Sequence, residues 1–396
     1  MIIVSAALIA YVVLGLAYWA LMAYGVVRIA RGVPRLGELH VPHPPGWPKL
    51  SVIVPACNEA DKIEPALRTL LAEDYPGLEI IVIDDRSTDS TGEIIDRAAA
   101  GDARVKAIHI KELPAGWLGK VHALQRGVEA AGGDFLLLTD ADIHFRPGTL
   151  RRAVAYAEAE RLDHLAALPD LWPTHRALDA GLAAFIRQFL VFTRAWKVSD
   201  PASAAFIGVG AFNLLRRAAL EKTPGLEWLR LEPADDAGVG LMMKRAGARC
   251  GVAAAFDCLG LHWYRTLGEA ARGAEKGYAS VMNFSAARGI ASALAALALE
   301  MAPILALVPL LFESVRPIGY AGIGIFALDV LAAAAMASWA GWGKFIPALT
   351  SPLFSPIGTA LMIRVAILGW RRGGIVWRGT LYPTELLREG KRVKIF

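Results

Sequence analysis

The 396-residue sequence predicts an α/β domain built on a mostly parallel central sheet, with transmembrane helices before and after it. Three observations carry this. Between about residues 49 and 288, short β-branched runs alternate with helix-length segments, the pattern of βαβ units. Residues 1–27 hold no Asp, Glu, Lys or Arg, and so exceed the roughly 20 apolar residues that span a bilayer. From about residue 289 the chain turns apolar again. A hydrophobic fraction of 55% and a mean hydropathy of +0.42, both high for a soluble protein, fit that frame.

The segment 1–27 lacks the basic start and short apolar core of a cleaved signal peptide, so it reads as a retained anchor. Arg28, Arg31 and Arg35 follow it, which puts the next domain on the cytoplasmic side of the cell membrane. Residues 28–48 form a basic and then Pro-rich connector ending in "VPHPPGWP". The catalytic-domain candidate spans 49–265. Its strands are "LSVIVPA", "LEIIVIDD", "RVKAIHI" and "DFLLLTD", with helices expected over 61–71, 89–100 and 120–131. No GxGxxG follows the first strand, which argues against a dinucleotide fold. Cys57, Cys250 and Cys258 are odd in number and form no CxxC, so neither a disulfide framework nor a structural zinc site is implied.

Ligands of such sheets sit beyond the carboxyl ends of the strands. Polar residues gather there: Asn58 and Glu59 after the first strand, Asp84 and Asp85 after the second, Asp140 and Asp142 after the fourth. One acidic strand end is readily a cap or a turn. Three in succession make a shared site the better reading. In "TDAD", residues i and i+2 of an extended segment point to one side, so Asp140 and Asp142 can face one divalent cation, Mg²⁺ or Mn²⁺. Lys120, just after a glycine at a helix start, can reach a diphosphate with the free backbone N–H groups helping.

The segments "SVIVPACNEA", "IIVIDDRSTDST", "GWLGKVHALQRG", "LLLTDAD" and "ADDAGVGLMMKRAG" come in an order and spacing that resemble family 2 glycosyltransferases of the GT-A type, over about residues 49–276. The membrane frame resembles that of enzymes of the ceramide-glucosyltransferase, carotenoid and hopanoid-associated kind. The tail "GGIVWRGTLY" resembles the W-R/K-G-R-x-Y ending of that subgroup, with Thr380 where Arg often stands. The resemblance implies that Pro55, Asn58 and Glu59 hold the nucleobase and ribose, and that Asp85, assisted by Asp84, recognises the uracil or its ribose. It makes Asp142 the metal ligand of a DXD motif, while Asp140 mainly touches the sugar nucleotide. It makes Asp236 the catalytic base, with Asp235 orienting it or raising its pKa. The Q-x-x-R-W motif of processive synthases is missing; "HWYRTLGEAARGAEKG" stands in its place, where Arg265 and Lys276 could contact the diphosphate and His262 and Trp263 could border the acceptor. The glycines of "FIGVGAFNLLRRAAL" suggest a strand lining the acceptor side.

Residues 266–288 read as an amphipathic helix on the membrane surface. The region 289–370 holds three apolar blocks carrying Glu300, Asp329 and Arg364, ionisable residues that normally face a bundle interior or a polar cavity. Three further spans would put the basic tail, 371–396, outside, whereas its charge argues for inside. One block is then re-entrant or interfacial, or the orientation rule fails; "FIPALTSPLFSP" is the candidate for non-spanning backbone. That tail has seven basic and two acidic residues, an excess equal to the whole net charge of +5. The rest of the chain is balanced, which argues against nucleic acid and for an anionic membrane surface.

The function expected is a multi-pass, metal-dependent, inverting glycosyltransferase moving a hexose from a UDP-sugar to a lipid hydroxyl at the cytoplasmic membrane face. A short-chain polysaccharide synthase and a non-catalytic scaffold that keeps the nucleotide-sugar fold are the alternatives.

Overall fold

The computed structural model describes residues 2–394. Helix α1 (Ile2–Gly32) and an extended connector lead into β1 (Leu50–Ala56), α2 (Ala60–Leu71), β2 (Leu78–Asp85), α3 (Thr91–Gly101), β3 (Val105–Ile110), α4 (Gly119–Ala130) and β4 (Phe135–Leu138). These are the strands and helices expected from the alternating pattern, each within two residues of its expected bounds. There follow β5 (His144–Phe145), α5 (Thr149–Ala159), β6 (His164–Leu171), α6 (Arg176–Phe192), β7 (Asn213–Arg216), α7 (Arg217–Leu220), α8 (Asp235–Arg245) and β8 (Cys250–Leu261). Only the end of the glycine-bearing segment is strand; Gly208 to Phe212 form an irregular loop before β7.

The eight strands make one sheet in the order β3-β2-β1-β4-β7-β6-β8-β5. β1 is parallel to β2 and β4, β2 to β3, and β6 to β8; β7 runs antiparallel to both its neighbours. The period of 2 along a strand divides the side chains between two cores. Val52, Val54, Ile80 and Val82 join the helices α2, α3 and α5, whereas Ile53, Ile81 and Ile83 join α4 and α8. Burial on both faces explains why these strands read as continuous apolar runs rather than alternating ones. The α4 and α8 side continues without a break into the apolar helices.

Those helices are α1, α9 (Leu267–Val281), α10 (Ala286–Glu300), α11 (Ala302–Leu305), α12 (Arg316–Ala340) and α13 (Phe345–Arg372). Ser5–Gly32, Glu313–Ala340 and Trp342–Arg372 are each long and apolar enough to cross a membrane, and Ala286–Glu300 with Ala302–Leu311, bent by 44°, forms a fourth candidate. α1 and α12 run parallel: a Cβ on Gly15 would touch Ile325, and the Trp339 indole donates to the Val33 carbonyl at 3.0 Å. α10 starts beside Met282 and reaches the middle of α1, where Tyr11 and Trp19 donate to the carbonyls of Ala298 and Leu299. The chain then continues past Ala306 to Leu310, packed on Gly322 and Gly319 of α12.

α13 is different. Lys344, just before it, pairs with Asp170 of β6 at 2.8 Å, and near its other end Arg364 and Arg372 both pair with Glu275 of α9. The ends of a helix of about 42 Å are thus both tied to the sheet domain and its α9 extension, and Ser351, in its second turn, bonds Arg187 of α6. Its prolines, Pro352 and Pro356, lie inside a continuous helix, so the "FIPALTSPLFSP" segment is helical rather than irregular. The carbonyl of Pro352, which Pro356 leaves without a helical donor, accepts from the Ser355 hydroxyl at 2.8 Å.

The segment after α13 is not a free basic tail. It forms the hairpin β9 (Gly374–Trp377) and β10 (Thr380–Pro383), then α14 (Thr384–Gly390). Acids of the sheet domain hold it: Arg378 pairs with Glu59, and Glu232 accepts from the backbone N–H groups of Arg392 and Val393. The arm and the sheet domain therefore lie on the same side of the apolar helices.

Candidate active site

One cavity of about 2080 Å³ reaches from the carboxyl ends of β1, β2 and β4 to the apolar surfaces of α6, α10 and α13. Single small-ligand sites are typically about 300–1,000 Å³. The space thus suffices for two substrates side by side.

The expected residues Pro55, Glu59, Asp85, Lys120, Asp140, Asp142, Asp235, Asp236 and Lys276 all line this cavity. Asn58, Asp84 and Arg265 do not. Asn58 is exposed and its side-chain oxygen accepts from the Thr88 N–H, bracing two loops. Asp84 is buried and accepts from the Ser87 N–H and from His109, locking the turn after β2. Arg265 is exposed at the entrance to α9, where its backbone N–H donates to Glu269. The side chains of Asn58 and Asp84 turn to structural partners instead.

The TDAD turn is stitched to the loop before β7. Thr139 donates to the Ala211 carbonyl at 2.7 Å and the Asp140 N–H to the Gly210 carbonyl at 3.1 Å. A Cβ at Gly210 would lie 2.6 Å from Asp140 Oδ2, so the close approach needs glycine there. At the first turn of α4, Lys120 Nζ lies 2.6 Å from Asp140 Oδ1 and 3.2 Å from Asp235 Oδ2. Lys276 of α9 also pairs with Asp235. Asp236 is held differently: it accepts from the backbone N–H groups of Gly210 (3.1 Å) and Ala237 (2.8 Å) and uses no cation as a direct partner.

These placements separate the acids electrostatically. Burial works against ionising Asp235, but Lys120 and Lys276 outweigh it and bring its carboxyl down to about 2. Burial and then the charge of Asp235 push the carboxyl of Asp236 up. Burial also opposes the Lys120 ammonium, and Asp140, Asp235 and Asp236 overcome that to hold it charged. Two adjacent acids with opposite shifts are the arrangement expected of an anchor and a base.

Asp142 carries excess negative surroundings. Burial, then Asp140 and, against the opposing Lys62 at 3.7 Å, Glu59 push its carboxyl up to about 6. No group of three or more His, Cys, Asp or Glu side chains forms a metal cage among the described residues. Asp142, whose nearest cation is 3.7 Å away, still fits a hard divalent cation with Asp140 beside it, because Mg²⁺-type ions often take one or two carboxylates and complete their shell with substrate phosphates and water.

Some lining residues escaped the sequence reading. Arg86 clasps both oxygens of Asp85 (2.7 and 3.0 Å) and has φ of 58°; adjacency in "DDRS" was the only signal for it. Lys62 lies one helical turn beyond Glu59. Trp377, Arg378 and Tyr382 arrive from the far end of the chain, and there the likeness of "GGIVWRGTLY" to a known ending was the signal.

The model of glycosyl transferase family 2 matches residues 51–223. The chain is 34% identical over 103 residues to the GalNAc(5)-diNAcBac-PP-undecaprenol beta-1,3-glucosyltransferase of Campylobacter jejuni, covering 26% of this chain and 32% of that protein. It is 35% identical over 136 residues to the glycosyltransferase AglD of Haloferax volcanii, covering 33% and 21%. The chain thus spans about a third or less of the length of these curated relatives. Among solved structures it is similar to the mannosyltransferase PcManGT of Pyrobaculum calidifontis in complex with GDP-Man and Mn²⁺, with a TM-score of 0.53 and 20% identity over 91% of this chain and 98% of that one. At that identity the likeness bears on fold alone, and it extends through the apolar helices. Sheet order, strand-end acids and matched segment agree: the chain carries a family 2 glycosyltransferase domain of GT-A fold.

Proposed function

We propose that this protein is a membrane-bound inverting glycosyltransferase that moves a hexose from a UDP-sugar to the hydroxyl of a lipid. The observation that carries this reading is the single cavity: carboxylates and lysines from β4, α4, α8 and α9 line one end, and the apolar faces of α6, α10 and α13 line the other. A water-soluble donor suits the first end and a lipid acceptor the second.

The donor diphosphate lies against Lys120 and the α4 N-terminus. Asp142 and Asp140 would hold the divalent cation, which as a Lewis acid stabilises charge on the departing diphosphate. Asp236 takes the proton of the acceptor hydroxyl. The acceptor oxygen then bonds to the anomeric carbon on the face opposite the diphosphate, whose C–O bond breaks. Asp235, fixed by two lysines, keeps Asp236 in place and basic.

The contacts support one membrane arrangement. α1, the bent α10–α11 pair and α12 cross the bilayer, whereas α13 lies along the cytoplasmic face, with both ends tied to the sheet domain. Three crossings leave the sheet domain and the C-terminal arm together on the side of Arg28 and Arg31, in accord with the positive-inside rule.

Purified full-length protein with Mn²⁺ and a panel of UDP-sugars tests this. Lipids from cells with and without the gene, compared by mass spectrometry, should differ by one hexosylated species that the purified protein also makes. Asp142→Ala should abolish Mn²⁺-dependent donor binding. A wild-type protein that binds no nucleotide sugar, or an Asp142→Ala variant with full activity, overturns the reading.

A further inference from the structure

We infer that the C-terminal hairpin is a wall of the donor site and that Arg378, at its tip, binds the diphosphate of the nucleotide. This rests on the glycosyltransferase reading and assigns a donor contact to a segment outside the matched domain.

Three contacts dock the hairpin onto the polar end of the cavity. Tyr382 is buried and lines the cavity together with Gly119, at the same helix start that carries Lys120. Lys276, which pairs with Asp235, lies 5.1 Å from the centre of the Trp377 ring. Arg378 pairs with Glu59, one turn of α2 before the Lys62 that faces Asp142.

The backbone at the tip points to function rather than folding. Arg378 has φ of 47° and Gly379 of 79°, a two-residue hairpin loop with both central residues left-handed. Asn or Asp ordinarily takes the first of these positions; an Arg there adopts a conformation that costs a side chain with a Cβ. Strain of this kind at a cavity rim suggests that the side chain is wanted there. The side chain lines the cavity, remains 39% exposed, and has Glu59 as its only carboxylate partner among the described residues. An Arg fork takes phosphate oxygens as readily as a carboxylate. Donor entry would exchange Glu59 for diphosphate oxygens, with no bond made or broken.

Full-length protein is titrated with UDP and GDP in Mn²⁺, and with uridine and guanosine as phosphate-free controls. Arg378→Ala should weaken the diphosphate that the wild type binds by about tenfold or more, while the matching nucleoside changes by less than about twofold. Arg378→Lys should fall between, keeping the charge without the fork. Trypsin cleavage after Arg378 in the wild type gives a readout that needs no variant: the diphosphate should slow it and the nucleoside should not. Unchanged diphosphate affinity in Arg378→Ala, equal losses for nucleoside and diphosphate, or absence of protection overturns the inference. A wild type that binds neither diphosphate overturns the glycosyltransferase reading itself, whereas a wild type that binds and an indifferent variant overturn only the role of Arg378.

Discussion

The two ends of the cavity handle charge in opposite ways. At the strand ends, Glu59, Asp140, Asp142 and Asp236 face open space, and their nearby cations, Lys62, Lys120 and Arg378, keep part of their surface exposed. At the apolar end, Arg187 of α6 and Glu300 of α10 pair with each other at 3% and 2% exposure. Tyr18 and Gln188 also bond Glu300, Ser351 bonds the guanidinium, and the Trp19 ring lies 4.7 Å from it. The first cluster is incomplete without a ligand. The second is paired within itself, apart from Arg187 Nε, and ties α1, α6, α10 and α13 together. Equal density of charge therefore marks function in one place and assembly in the other, and the difference lies in whether each charge already has its partners.

Five substitutions would break or sharpen that contrast. The largest effect should come from Asp236→Asn, which removes the proposed base: kcat should fall by about 10²–10⁴, with donor affinity unchanged in a binding titration. Arg187→Met strands Glu300 in an apolar setting and should destabilise the protein by about 3–5 kcal/mol, read as a lowered thermal midpoint; adding Glu300→Leu should recover much of it. If Arg187→Met instead left stability intact and abolished turnover, the closed cluster would belong to the chemistry. Gly358→Leu projects a side chain from α13 into the cavity, where a Cβ meets nothing within 4 Å. It should raise the lipid KM by about tenfold, one lost apolar contact or so, without changing donor affinity. The smallest effect is a shift in pH dependence. Because Asp236 is held above the usual carboxylate range, it loses its proton only as pH rises through that raised value, so kcat should fall on the acid side. Asp235→Asn removes the like charge and should move that limb to lower pH in a pH–rate profile.

The strand-end half was readable because its rules are local. A β-branched run buries both faces, and i and i+2 share a side, so the positions of Asp140 and Asp142 follow from eight residues of text. The failures there are local too: Asn58 and Asp84 have the right chemistry, but a neighbouring N–H takes each side chain. The helical half obeys rules that short stretches do not carry. An apolar run of 28 residues reads alike whether it crosses the bilayer or lies along it; for α13, the partners that favour the second, Asp170 and Glu275, lie far away in sequence. The tail was read by its charge and by one likeness to a known ending, neither of which could show that Glu59 and Glu232 would fold it back.

Arg378 and Glu59 are 319 residues apart. Chains are made from the N-terminus, and domains fold as they emerge. The sheet domain can therefore form while the apolar helices are still unmade, but its rim cannot. The hairpin reaches Glu59 only after α10, α11, α12 and α13 have been delivered and have turned the chain back to the side it left. On the proposed membrane reading, closure of the donor site thereby reports that integration has been completed, so a half-inserted chain would expose strand-end acids without the arm that completes them.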